Sequence, residues 1–327
     1  MSELLGLPWL QTLSAAALAG SLWVYVLLDG ADLGTGMLCA FQRDADARHQ
    51  LNLSLLPVWD GNETWLVLAA GGLLGLFPLA YAIMLSALYV PVFMMLLALV
   101  ARGMAIEYRH YAPRLFDTML VGGSLLASIS QGVIVGSLIM GLPNDGQQFT
   151  GTGWEWLSPF PLFCSIALIT GYCLMGAGWL NWRCTGSLEY RARRAIPWLS
   201  ALTLVLVTGL LVWTIFLHET WRQHLLNPWL WGPLLTIAAA GLAVLWISLS
   251  RHYVFLSIAA IQILVSCAFA ALAFTLFPFI VPVNLLIQQA AAPVKTQQFL
   301  LLCFGLLAPI TLAYNTWVFR VFSGKIH

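Results

Sequence analysis

Charge is what this sequence has least of. Of its 327 residues only 8% are Asp, Glu, Lys or Arg, against roughly 25% in an ordinary soluble domain. Thirteen acids nearly balance fourteen bases, for a net charge of +1, so there is no broad positive field to attract nucleic acid. Histidine is missing from the interior of the apolar runs: His49, His110, His218, His224, His252 and His327 all fall in loops or at run ends. A membrane-embedded b-type haem takes its axial ligands from inside helices, so no bound redox metal is expected in this chain alone. The six cysteines (Cys39, Cys164, Cys173, Cys184, Cys267 and Cys303) are dispersed and form no C-x-x-C. Most lie in apolar runs, where Cys acts as a small hydrophobe, so neither disulfides nor iron–sulfur ligation is expected. A phosphate-binding Gly-rich loop and a nucleophile triad are likewise missing, and no catalytic residue is assigned. The first apolar run, from Leu10, lacks a basic leader and a small-residue cleavage site. It therefore reads as a retained span rather than a signal peptide.

What fills the chain is hydrocarbon. Apolar residues make up 61%, mean hydropathy is +0.87, and runs of about twenty apolar residues recur throughout, as bilayer spans require. The expected fold is an all-α polytopic membrane protein, one integral membrane domain over residues 1–327. Breaks at polar and Pro/Gly-rich segments give nine transmembrane helices, near 10–40, 53–72, 78–102, 118–141, 159–182, 196–217, 228–249, 253–277 and 298–320. The first is longer than a bilayer needs, so its Gly-rich end (Gly30, Gly34, Gly36) is expected to emerge or bend. Arg43, Arg48, Arg102, Arg109, Arg114, Arg183, Arg191, Arg193, Arg194, Arg251, Arg320 and Lys325 fall at the ends of odd-numbered spans, and only Arg222 and Lys295 oppose them. Twelve cations against two predict an outside N-terminus and a cytoplasmic C-terminus. Gly132 and Gly136, set among serines, form a G-x-x-x-G surface for close helix packing.

Against that background four acids stand out. "LLDGADLGTGML" carries Asp29 and Asp32, and "LLPVWDGNETWLVLAAGG" carries Asp60 and Glu63. Each pair is three apart, hence on one side of a helix. Carboxyls inside a membrane are costly and usually face protein or water, where they pass protons. The spacing also admits a plainer reading. D-x-x-E after Pro57 is a capping-box pattern, and Asp29-Gly30 is a turn signal that could end the first span. Intramembrane acids also suit a proton-coupled secondary transporter, although no internal repeat is visible and the acids lie towards one face rather than the midplane.

The blocks "LDGADLGTGML", "WDGNETWLVLAAGGLLGLFPLAYAIMLSALYVPVFMMLLALVARG" and "EYRH", then "FPFIVP" and "LAPITLAYNTWVFRVFSGKI", resemble subunit II of cytochrome bd-type quinol oxidases. The resemblance is close over the first ~115 and last ~50 residues. It implies two four-helix bundles plus a peripheral helix in a bacterial cell inner (cytoplasmic) membrane. The implied partner is a haem-bearing subunit I, which carries haem b, haem d and the quinol site. The pair oxidises quinol and reduces O2 to water. A small single-span accessory subunit, membrane lipid and a structural quinone belong to the same expectation. Residue by residue, Asp32 and Asp60 match family carboxylates of cytoplasmic proton supply. Trp65 matches a tryptophan near an O2 path, and Asp29 the first aspartate of D-G-x-D. Glu63 stands where some relatives have Gln, Ile106 where an aromatic is frequent and Phe319 where Tyr is. A third reading, a purely structural subunit that stabilises the haem-bearing chain, would leave Asp60 without a proton role.

Overall fold

The computed structural model describes residues 9–322 and 324–326. Twelve α-helices run along the described residues. The first, α1 (Trp9–Leu38), continues into a 3-10 turn and then α2 (Ala45–Leu55), a short polar helix capped by the Asp44 side chain. There follow α3 (Trp59–Leu76), α4 (Pro78–Tyr108), α5 (Pro113–Met140), α6 (Pro159–Arg183), α7 (Gly186–Ile215) and the short α8 (Glu219–Leu225). After α9 (Pro228–Arg251) and α10 (Val254–Leu276) come a small antiparallel pair, β1 (Phe279–Val281) with β2 (Leu285–Leu286), then α11 (Ile287–Ala290) and α12 (Val294–Val321). Four long helices begin on a proline (Pro78, Pro113, Pro159, Pro228), where the missing N–H would have had no partner in any case. Pro91 lies inside α4, which is kinked one turn earlier at Leu88, as a proline ring pressing on the preceding turn dictates.

Among the described residues eight helices are long and apolar enough to cross a membrane, and the remaining one of the nine expected from sequence corresponds to α3, which falls short of that measure. It is the weakest member, 18 residues or about 27 Å, with Asp60, Asn62, Glu63 and Thr64 in its first turns. The expected span at 53–72 began too early. Residues 53–55 finish α2, and the chain turns before α3 starts at Trp59, because Pro57 has no N–H with which to continue the helical ladder beyond Leu56. At the other extreme, α1 does not bend or emerge at its glycines. It stays helical to Leu38, and every residue from Asp29 to Met37 is buried.

The packing resolves into two bundles. One holds α1, α3, α4 and α5, the other α6, α7, α9 and α10, and α12 lies outside them against α3 and α1. The bundles join where α1 and α5 both lean on α6. Glycine makes that seam possible: a Cβ on Gly34 would fall 1.7 Å from the Tyr172 carbonyl oxygen, and one on Gly132 would fall 2.3 Å from the Ser165 Cα. Small residues let membrane helices approach to backbone contact.

The two ends of the molecule differ in charge. At one end Arg109 and Arg48 pair with Asp117 at 2.6 and 3.5 Å, Lys325 pairs with Glu189 at 2.5 Å, and Arg183 donates to the Gly324 carbonyl at 2.5 Å. At the opposite end cations are few, Arg222 pairing with Glu219 at 3.1 Å, and long-range ties are neutral ones such as Trp221 Nε1 to the Ile139 carbonyl at 2.9 Å and Leu142 N to the Pro282 carbonyl at 3.2 Å. One cation counted at a helix end from sequence does not belong there. Arg102 is fully buried within α4.

Candidate functional site

The polar centre is built where α1 is buried on all sides. Asp29 and Asp32 lie one turn apart on α1, with Tyr25 one turn before them, and all three are buried. The neighbour helices supply the partners. Arg102 of α4 sends Nη2 to Asp29 Oδ1 at 2.6 Å and to Glu63 Oε1 of α3 at 2.5 Å. Asn62, also of α3, donates from Nδ2 to Asp32 Oδ2 at 2.7 Å. On the far side, Tyr172 of α6 donates to Gln131 Oε1 of α5 at 2.7 Å, and Gln131 Nε2 donates to the Tyr25 hydroxyl at 2.7 Å. Polar side chains from five helices thus lead from the half-buried Glu63 on α3 to the junction of the two bundles.

The electrostatics of this cluster are one-sided. Three carboxyls, Asp29, Asp32 and Glu63, face one guanidinium. The set is neutral only when two of the carboxyls carry a proton, and charge that is neither paired nor hydrogen-bonded is expensive in such a place. Arg102 Nε and Nη1 and Asp29 Oδ2 are buried with no protein partner among the described residues. Leftover donors and acceptors of this kind are the groups that bind interior water. Next to the Asp32–Asn62 pair a crevice of about 10 Å³ is lined by Gly61, Asn62 and Asn315, close to the size of one water.

The four acids named from sequence therefore part company. Asp29, Asp32 and Glu63 come together, whereas Asp60 is exposed on the outer face of α3. Thr64, Val67 and Leu74 continue that exposed stripe. The capping-box alternative does not form: α3 starts after Val58, with no side-chain cap, and the Glu63 carboxylate goes to Arg102 instead. Nor is Asp29-Gly30 a turn, since α1 continues past it. Trp65 is buried on α3. Sequence reasoning missed Arg102, Asn62, Tyr25, Gln131 and Tyr172. The available signal for Arg102 was its position inside the apolar run "LLALVARGMAI"; for Tyr25 it was the one-turn spacing from Asp29.

The comparisons with known proteins now bear on this arrangement. The family model for cytochrome bd terminal oxidase subunit II matches residues 10–322. The chain belongs to that family. Cytochrome bd-I ubiquinol oxidase subunit 2 of Escherichia coli K12 is 26% identical over 92% of this chain and 91% of the relative. The probable cytochrome oxidase subunit 2 of Haemophilus influenzae is 26% identical over 93% and 94%. Among solved structures, bd oxidase from Geobacillus thermodenitrificans superposes with a TM-score of 0.80, at 19% identity over 96% of this chain and 99% of that one. That likeness speaks to the fold alone. Family membership sets aside the transporter reading and makes this chain a subunit of a bd-type oxidase, a multi-pass protein of the inner membrane with a subunit I partner.

The haem chemistry that the family implies does not fit the described histidines. His218 Nε2 donates to the Met140 carbonyl and His224 Nδ1 to the Thr275 carbonyl. His49 faces Arg109, and His252, at the end of α9, faces Arg193. None of the described histidines sits within a long helix as an axial ligand must.

Proposed function

We propose that this subunit II is a haem-free proton conduit for its oxidase. It would take protons from the cytoplasmic side and hand them to the haem-bearing subunit I. The observation that carries the reading is the buried Asp29–Arg102–Glu63 cluster, with Asp32–Asn62 beside it and the exposed Asp60 three residues from Glu63 on the same helix. Reducing O2 to water consumes four protons along with four electrons from quinol. A subunit that delivers protons needs acids that can be loaded and emptied, and a cluster with more carboxyls than cations meets that need.

In this reading the cation-rich end is cytoplasmic, so the N-terminus is outside and the C-terminus cytoplasmic. Asp60 lies on a face that subunit I covers and hands protons across that interface, supplied by Glu63 one turn along the same helix. Asp32, held by Asn62, and Asp29, held by Arg102, form the reservoir behind it. Trp65 on the same helix borders O2 access. Haem b, haem d and the quinol site belong to the partner, and a structural quinone, a small accessory subunit and bound lipid complete the assembly. The whole of residues 1–327 acts as one integral membrane domain.

The test is Asp60→Asn in the intact two-subunit oxidase. The haem spectrum should be unchanged, while quinol-driven O2 consumption falls on the order of tenfold or more. Wild-type turnover with a wild-type spectrum would leave only the structural role. Glu63→Gln separates the two acids: it keeps a partner for Arg102 while removing the proton.

A further inference from the structure

Away from the acid cluster, the second bundle opens at its cationic end. A cleft of about 430 Å³ lies between α7 and α9, within the size range of ligand sites. Its polar lining is Arg193, Arg194, Tyr190, Ser250 and His252, and its apolar lining includes Pro197 and Trp246. Among the described residues that line it there is no carboxylate. Glu189, the nearest acid in sequence, is turned to Lys325 at 2.5 Å, and Arg251 adds a further exposed cation at the end of α9. Two observations show that the site is built rather than a chance gathering of surface charge. Arg193 bridges the helices by donating to the Leu249 carbonyl and to His252 Nδ1, and His252 itself sits in the left-handed region at φ 62°. Arg194 is laid over the Tyr190 ring, 5.6 Å from its centroid, with Nη1 donating to the hydroxyl at 3.2 Å. Neither guanidinium is oriented by a carboxylate, so the positive charge of both remains for a ligand.

We infer that this cleft is a binding site for an anionic phospholipid of the surrounding bilayer. The phosphodiester would be held by Arg193 and Arg194, and the first acyl carbons would lie against Pro197 and Trp246. Basic pockets between spanning helices at the cytoplasmic surface are suited to such headgroups. The apolar wall of Pro197, Trp246 and Leu249 favours a lipid over free phosphate, and Trp246, 70% exposed, is the kind of indole that meets headgroups at a membrane interface. A lipid seated here would brace α7 against α9 independently of any proton transfer in the first bundle.

The experiment uses the intact oxidase, stripped in mild detergent and titrated with phosphatidylglycerol while bound lipid is counted by native mass spectrometry. Wild-type complex should retain phosphatidylglycerol in preference to phosphatidylcholine. Arg194→Gln, which removes no bond between helices, should weaken that retention about fivefold, and Arg193→Gln/Arg194→Gln about twenty-fivefold. Arg194→Lys should recover most of it. Equal retention of the two lipids, or unchanged phosphatidylglycerol binding in Arg194→Gln, overturns the assignment. Displacement of the bound lipid by millimolar inorganic phosphate would also overturn it, by identifying the ligand as the free anion.

Discussion

Removing Arg102 is the most demanding perturbation of the buried cluster. Its guanidinium holds Asp29 at 2.6 Å and Glu63 at 2.5 Å, but the two acids lose unequally in Arg102→Leu. The Glu63 side chain is 24% exposed and can turn outwards to find water. Asp29, at 0%, has nowhere to go. Breaking one buried pair in this way costs about 3–5 kcal/mol, because the survivor is left uncompensated. Nearly all of that cost should come from Asp29. At about 2 °C per kcal/mol for a chain of this length, the melting temperature of the solubilised oxidase should fall by about 6–10 °C. The double variant Arg102→Leu/Asp29→Leu removes both charges, and replacing a buried pair by apolar groups is near neutral. Its melting temperature should return to within a few degrees of wild type, while turnover stays low because the acid is gone. Scanning fluorimetry with haem absorbance as a second probe reads the first quantity, and O2 consumption reads the second. If Arg102→Leu melts like wild type, or if Asp29→Leu fails to rescue it, Asp29 is not the burden and the charge argument is wrong.

Two further outcomes follow from the packing and from the loop at the opposite end. Gly34→Val should abolish assembled oxidase, since even its Cβ would stand 1.7 Å from the Tyr172 carbonyl, whereas Gly20→Ala, with open space around it, should assemble normally; haem-stained native gels of membranes distinguish the two. In the loop after α5, partial burial opposes ionisation of Glu155, but N–H groups of Thr152 at 2.6 Å and Gly153 at 2.9 Å outweigh it and hold the carboxyl below its ordinary value of 4.5. A lowered pKa contributes stability that is complete above the ordinary value and is lost as pH falls through the folded one. Protease nicking of this loop should therefore rise on acidification below pH 4.5 in the wild type, and Glu155→Gln should be nicked readily at neutral pH with little further change in acid.

The sequence showed the membrane class, the helices and the family blocks because hydropathy and motif order are linear properties. It also showed that Asp29, Asp32, Asp60 and Glu63 were unusual, because an acid in an apolar run is visible without a structure. What it could not show was rotation and depth. Residues three apart differ by about 60° around a helix, enough for Glu63 to turn inwards to Arg102 while Asp60 faces out. Asp29 and Asp32 have the same spacing yet both are buried, because α1 is covered on every side there. Arg102 was misread for the related reason that a count of cations per helix end treats a residue near an end as belonging to it. The guanidinium lies instead within α4 against two acids, at full burial. These misreadings share one physical origin. A charge in a membrane protein is stabilised by groups on other helices, and local sequence does not say which they are. The same reasoning separates Asp60 from the rest. Asp29 and Glu63 are paired with a cation and Asp32 is held by Asn62, so this chain alone accounts for their presence. The exposed Asp60 carboxylate sits in the first turn of α3, where an acid suits the helix N-terminus, so only its substitution in the assembled oxidase tells a proton role at the proposed interface from a helix-end charge.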